Sequence, residues 1–147
     1  MLKRKLPYDI QKIQLEVGVK AFIQKDEEYL FLKRAKSYPG DMALKWDIPG
    51  GRINPGEPFE KGLAREIKEE TGLTFISIDK ILAVQDIIRV KDKHTVRITF
   101  LAKCKGIVKI NPAEHTDFRW LTLDEIKKMQ HDTYLSPVIK ILEKFYC

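Results

Sequence analysis

Three glutamates, Glu66, Glu69 and Glu70, fall at helical offsets within one run of helix-forming residues. Spacings of three and four residues put their carboxylates on one face of a helix, within about a turn. Like charges so placed destabilise an isolated helix by a few tenths of a kcal/mol per pair, on the order of 0.2–0.5. Arg65, four residues before Glu69, relieves part of that repulsion, and a divalent cation relieves far more. Magnesium takes hard oxygen ligands and binds one or two protein carboxylates together with substrate phosphates and water. The competing reading is a solvated acidic face. Upstream, Glu57 and the turn-forming Gly50-Gly51 and Asn54-Pro55-Gly56, where glycines permit backbone angles other residues avoid, stand at fixed distances and favour the metal.

From Gly51 to Leu73 the spacing is Gly-x5-Glu-x7-Arg-Glu-Ile-Lys-Glu-Glu-Thr-Gly-Leu. This resembles the Nudix box, Gly-x5-Glu-x7-Arg-Glu-U-x-Glu-Glu-x-Gly-U with U aliphatic. All seven specified positions match, and Ile67 and Leu73 fill the aliphatic places. The approach, Trp46-Asp47-Ile48-Pro49-Gly50-Gly51, is also similar to the family's strand ending in Pro-Gly-Gly. The resemblance implies Glu66, Glu69 and Glu70 as metal ligands with the carbonyl of Gly50. Glu57 would lie near the metal directly or through water, and Arg65 would orient a glutamate by a charge-assisted hydrogen bond. The implied cofactor is Mg2+, with Mn2+ as the alternative.

These residues need a loop feeding a helix. Pro58 suits the first helical position, where its missing N–H would be unpaired anyway. Gly72 suits a left-handed cap, so the helix should span residues 58–71. Leu63, Ala64 and Ile67 form its core side. Gly62 sits mid-helix, where glycine costs roughly 1 kcal/mol against alanine, which suggests close packing by the preceding loop.

Val17 to Ile23 and Tyr29 to Leu32 read as a hairpin turned at Asp26-Glu27-Glu28, followed by a loop around Ser37-Tyr38-Pro39-Gly40 and a strand at Trp46. Ile81 to Val90 and Thr95 to Lys105 read as strands around a turn at Lys91-Asp92-Lys93. In the second, Val96, Ile98, Phe100, Ala102 and Cys104 share a face opposite Arg97, Thr99 and Lys103. Phe118 to Leu121 is a short strand, and Thr122-x-x-Glu125 is a capping box opening a helix to Met129. Ser136-Pro137 opens a last helix whose Val138, Ile141, Leu142 and Phe145 make a core stripe. Strands and helices in this order imply an α+β class, and the resemblance implies a single domain over residues 1–147 with the Nudix-type α/β/α sandwich around a mixed β-sheet.

Outside the box, Glu114 lies in the turn-rich Asn111 to Asp117, where MutT-like members often carry a glutamate acting as general base or metal ligand. A carboxylate beside metal ions stays ionised for that task; His115 is the rival. Arg34 occupies a position where such proteins often place a phosphate-binding arginine, and a guanidinium fork fits phosphate oxygens. Tyr38, Trp46 and Phe22 offer rings that could stack on a base or serve as core. His94 and His131 fall in turns and should face solvent.

The chain has 147 residues, 44% apolar and 33% charged, enough for one globular domain. Met1 to Asp9 lacks the apolar run of a secretory signal, no stretch reaches the ~18 apolar residues of a membrane span, and Cys104 and Cys147 read as reduced thiols. A cytoplasmic location follows as the expectation. The net charge is +6, and seven basic residues against one acid lie between Arg89 and Lys109. Such a field draws polyphosphates; it could also draw nucleic acid, which the steep salt dependence of backbone binding would reveal.

The resemblance therefore implies an enzyme, a hydrolase of phosphoric anhydride bonds whose partner is a small nucleotide, most similar to MutT-like nucleoside triphosphate pyrophosphatases. ADP-ribose or another nucleoside diphosphate sugar is the alternative substrate. About sixteen residues past the box, where the ADP-ribose branch commonly has proline and the dinucleoside polyphosphate branch tyrosine, this chain has Ile87-Ile88-Arg89-Val90. A non-catalytic nucleotide-sensing or RNA-binding module is disfavoured by the complete set of box carboxylates, and a homodimer stays open.

Overall fold

A computed structural model describes residues 12–146. The readings placed on Met1 to Asp9 and on Cys147 lie outside them. The elements are β1 (Gln14–Lys25), β2 (Glu28–Arg34), a single 3-10 turn at Gly40–Met42, β3 (Trp46–Asp47), β4 (Gly50–Arg52), α1 (Phe59–Thr71), β5 (Thr74–Ile87), β6 (Lys93–Lys105), β7 (His115–Leu121), α2 (Leu123–Lys127) and α3 (Leu135–Tyr146).

The sheet is mixed. Its main path runs β3-β2-β1-β6-β5, with β4 on β1 and β7 on β2. Among the described strands β1 and β6 are the parallel pair, through a register that aligns Gly18 with Arg97 and Lys20 with Thr99. The hairpin between β1 and β2 turns at Asp26, whose φ of 56° is tolerated because aspartate can bond locally. Both faces of the sheet are covered, which is why the middle of β1, Val19 to Ile23 apart from Lys20, is an apolar run. On one face Val19, Ala21, Ile23, Phe100 and Ala102 pack against Leu63 and Ile67 of α1. On the other, Phe22, Phe31 and Leu101 pack against Ile126 of α2 and Val138, Ile139 and Leu142 of α3. Burying each such side chain contributes roughly 1.5–3 kcal/mol. The expected α/β/α sandwich is the observed fold.

Several local expectations change. Pro58 is the residue before α1, with ψ at 141°, and the helix proper begins at Phe59. Gly50-Gly51, expected in a turn, opens the short strand Gly50–Arg52, which pairs with Gly18–Lys20. The strand expected from Ile81 to Val90 is β5, Thr74–Ile87; three register shifts along its pairing with β6 blur the alternation of its first half, and it stops before Ile88. Phe145 is 60% exposed under the ammonium of Lys80, and the buried stripe of α3 is Leu135, Val138, Ile139 and Leu142. His131 is half-buried and bonded to the Met129 carbonyl and Ser136 hydroxyl, and His94 pairs with Asp86 at 2.8 Å.

Candidate active site

The loop before α1 and the helix face carrying the glutamates close on one another through glycines. Gly51 sits so near Glu66 that a Cβ there would come within 2.5 Å of the carboxylate. Gly50, at φ 143°, would place a Cβ 2.1 Å from the Val19 carbonyl. A Cβ on Gly62 would meet Ile53 at 2.6 Å and Glu57 at 2.9 Å, so the preceding loop does pack there. Gly72 adopts the left-handed cap at φ 73°, with its N–H donating to the Lys68 carbonyl at 3.0 Å.

Arg65 gathers the acids. Its Nε and Nη2 donate to the two oxygens of Glu57 at 2.8 and 2.9 Å, a forked pair. Its Nη1 reaches Glu66 at 3.0 Å and Glu69 at 3.3 Å. The Arg65 fork, helped by the N–H of Asn54, holds the Glu57 carboxyl down at about 2. Glu57 therefore stands behind Arg65 as its anchor, while Glu69 remains largely exposed on the outer side.

Glu70 has a different setting. It is only 6% exposed, and its Oε1 accepts the N–H of Gly50 at 2.8 Å. Burial pushes its carboxyl up to about 8, against the pull of Lys20 and of the Gly50 N–H. Burial likewise raises Glu66, in spite of Arg65. The His115 Nε2 lies 3.6 Å from Glu70, yet burial pushes the imidazole down to about 4, so at neutral pH this contact is not an ion pair. The His115 Nδ1 is buried with no hydrogen-bond partner among the described residues.

One ligand atom each from Glu70, Glu114 and His115 lie within 4.8 Å of one another. A buried carboxyl pushed toward its neutral form, with the Glu114 carboxylate and the His115 ring converging on it, fits a divalent cation. Its charge would reverse the effect of burial on Glu70. Glu114, exposed at its outer edge, is the acid best placed to meet solvent water.

The remaining expectations separate. Tyr38 stays at the rim, its ring 6.0 Å from that of His115. Burial and the nearby Glu70 and Glu114 charges push its hydroxyl up to about 12. Trp46 is 5% exposed inside the core, with Arg119 over one face, so it has no free face for a base, and Phe22 is fully buried. Arg34 is not a free phosphate ligand: it is 3% exposed and paired with Asp47 and, at 2.7 Å, with Asp132.

Asp47, Asp132, Lys20, Arg89 and Arg97 escaped the sequence reading as a group. Asp47 also accepts from Lys20 at 2.6 Å, and Asp132 accepts from Arg89 at 2.7 Å. The only sequence signal was charge inside apolar strands, Lys20 and Arg97 above all.

The chain matches the family model described as NUDIX domain over residues 13–141. It is 28% identical over 121 residues to a "MutT-like protein" of Streptomyces ambofaciens, covering 82% of this chain and 72% of that protein. It is 34% identical over 107 residues to an "ADP-ribose pyrophosphatase" of Methanocaldococcus jannaschii, covering 67% of this chain and 59% of that relative. The crystal structure of a MutT protein from Methanosarcina mazei superposes with a TM-score of 0.79 at 28% identity, covering 92% of this chain and 98% of that one.

Proposed function

This chain belongs to the NUDIX domain family of hydrolases acting on phosphoric anhydride bonds, and we propose that it is a MutT-like nucleoside triphosphate pyrophosphatase that releases a monophosphate and pyrophosphate. The observation that carries this reading is the pair of carboxylate settings on α1, one gathered by Arg65 and one buried against Gly50 and His115. Glu66, Glu69 and Glu70, with the Gly50 carbonyl, would hold Mg2+, or Mn2+ in its place. When bound, such an ion neutralises phosphate charge and lowers the pKa of water.

The protein's own groups do the rest. Arg65 fixes Glu57, Glu66 and Glu69 in one constellation, so the site is ordered before substrate arrives. Glu114 takes the proton from the attacking water, which its exposed carboxylate can reach. His115, held neutral by burial, adds no positive charge beside Glu70. Tyr38 at the rim offers a ring to the nucleotide.

A second reading is hydrolysis of ADP-ribose or another nucleoside diphosphate sugar, favoured by the 34% identity to the archaeal relative of that name. No described helix is long and apolar enough to cross a membrane, and we place the enzyme in the cytoplasm. Hydrolysis of a nucleotide panel in ¹⁸O-water decides between the two. The expected result is magnesium-dependent monophosphate from triphosphates, with label in one product and no turnover in EDTA. Metal-independent cleavage, or no anhydride cleavage across the panel, would sink the proposal.

A further inference from the structure

The face of the sheet that carries Lys20 holds more cations than its acids can use. Residues paired directly across strands point to the same face. Lys20, Gly18 and Glu16 of β1 thus share a face with Thr99, Arg97 and Thr95 of β6, and with Gly50 and Arg52 of β4. Strand spacing and rise put the Cα of Arg97 about 8 Å from that of Lys20 and about 12 Å from that of Gly50, within reach of one nucleotide.

The acids here are already engaged. Asp47 accepts from Lys20 and Arg34, Asp132 from Arg34 and Arg89, and Glu16 from Arg52 and Thr95. Among the described residues Arg97 has no hydrogen-bond or ion-pair partner, although it is largely covered. Burial lowers its pKa, with Asp47 and Asp132 acting only at a distance in the opposite sense. A cavity of about 180 Å³ opens beside it, with Arg89, Lys93 and Arg97 as cations, Met42, Ile87 and Val90 as an apolar wall, and Glu16, already bonded to Arg52 and Thr95, as its one acid. Gly18, directly opposite Arg97, contributes no side chain to that face. Larger cavities of about 270 and 910 Å³ adjoin it through Arg89 and Val90.

We propose that Arg97, with Arg89 and Lys93, forms a subsite for a second anionic group of the substrate, a phosphate monoester or a carboxylate remote from the anhydride that is cut. A covered guanidinium without a partner is costly, and an oxyanion in that cavity supplies the forked partner it lacks. The cavity suits a phosphate-sized group and is too small for a nucleoside. The inference rests on the second reading, hydrolysis of a nucleoside diphosphate sugar, because a nucleoside triphosphate carries no anion beyond its anhydride chain, and it selects among such substrates by charge rather than by base.

Calorimetric binding in EDTA tests it with two matched pairs: ADP-ribose against its 2′-phosphate, and UDP-glucose against UDP-glucuronate. In one pair the anionic member should bind about tenfold tighter or better, and which pair responds tells phosphate from carboxylate. Arg97→Gln should collapse that ratio toward one, and Arg97→Lys should keep part of it. If Arg97→Gln does not fold, the exposed Lys93→Gln should shrink the ratio instead. Equal binding within both pairs, or a ratio that survives Arg97→Gln and Lys93→Gln, overturns the subsite. Magnesium-dependent turnover of the unmutated protein is scored separately, so loss of the hydrolase reading and loss of the subsite are distinguishable.

Discussion

Two charge clusters lie side by side in this protein, and they are built in opposite ways. The α1 cluster draws Glu57, Arg65, Glu66, Glu69 and Glu70 from fourteen consecutive residues. The sheet cluster draws Lys20, Arg34, Asp47, Arg89 and Asp132 from five separate places between β1 and the start of α3. The first has an excess of acid and is partly open to solvent. The second is closed, with its acids 2% exposed or less, and each acid meets two cations. An excess of acid invites an ion from outside; two acids, each clasped by two cations in a dry interior, hold the chain to itself. The first is chemistry and the second is architecture.

Substitution of Glu70 by Gln should show the largest effect on turnover. We expect a loss of about 100-fold or more, with metal-free thermal stability kept, because the buried carboxyl is already pushed toward its neutral form. Near-full activity in Glu70→Gln would erase the distinction between the clusters. Asp47→Asn should do the reverse: breaking one partner of a buried pair costs about 3–5 kcal/mol, read as a lower urea midpoint, whatever it does to the rate.

The pH dependence of stability sharpens the same contrast. Burial works to raise the Asp47 carboxyl, but Lys20 and Arg34 overcome it and hold it far below the usual carboxylate range. Its contribution is fully present above the unfolded value, about 3.9, and is lost as pH falls below that toward the folded one. Acid unfolding of the Asp47→Asn protein should lack this component; an unchanged acid limb would show that the pair is not what holds the sheet cluster.

Arg65→Lys keeps the charge and removes the fork. Loss of about 10–100-fold in metal affinity is expected, with the urea midpoint close to that of the unmutated protein; equal affinity would mean the carboxylates need no gathering. The smallest effect should come from Thr122→Ala, which breaks a local motif far from both clusters. Thr122 accepts from the Glu125 N–H at 3.2 Å while Glu125 accepts from the Thr122 N–H at 3.0 Å. About 1 kcal/mol of stability should go, and no activity.

The same division governs what could be read without coordinates. The capping box, the Gly72 cap and the loop pressed on Gly62 were all legible, because each is a contact within a few residues. Arg34 is shut away between Asp47 and Asp132, the second almost a hundred residues further along the chain, a partner that no local spacing offers. Trp46 is a ring by sequence and core by structure, 5% exposed with Arg119, more than seventy residues away in the chain, over one face. Phe145 keeps the helical period, yet it is 60% exposed under the Lys80 ammonium of β5, a contact that the spacing within α3 does not contain.

By itself the order of residues determined the acid-bearing helix, its stop and the loop bent against it, since backbone preference and a 3.6-residue period act over one or two turns. Tertiary structure alone decided that His115 would meet Glu70, that Arg34 would be shut away and that Arg97 would be left without a partner. Those outcomes depend on which strands lie next to one another, and strand neighbours are set by the packing of two helical layers onto one sheet, which no local spacing records.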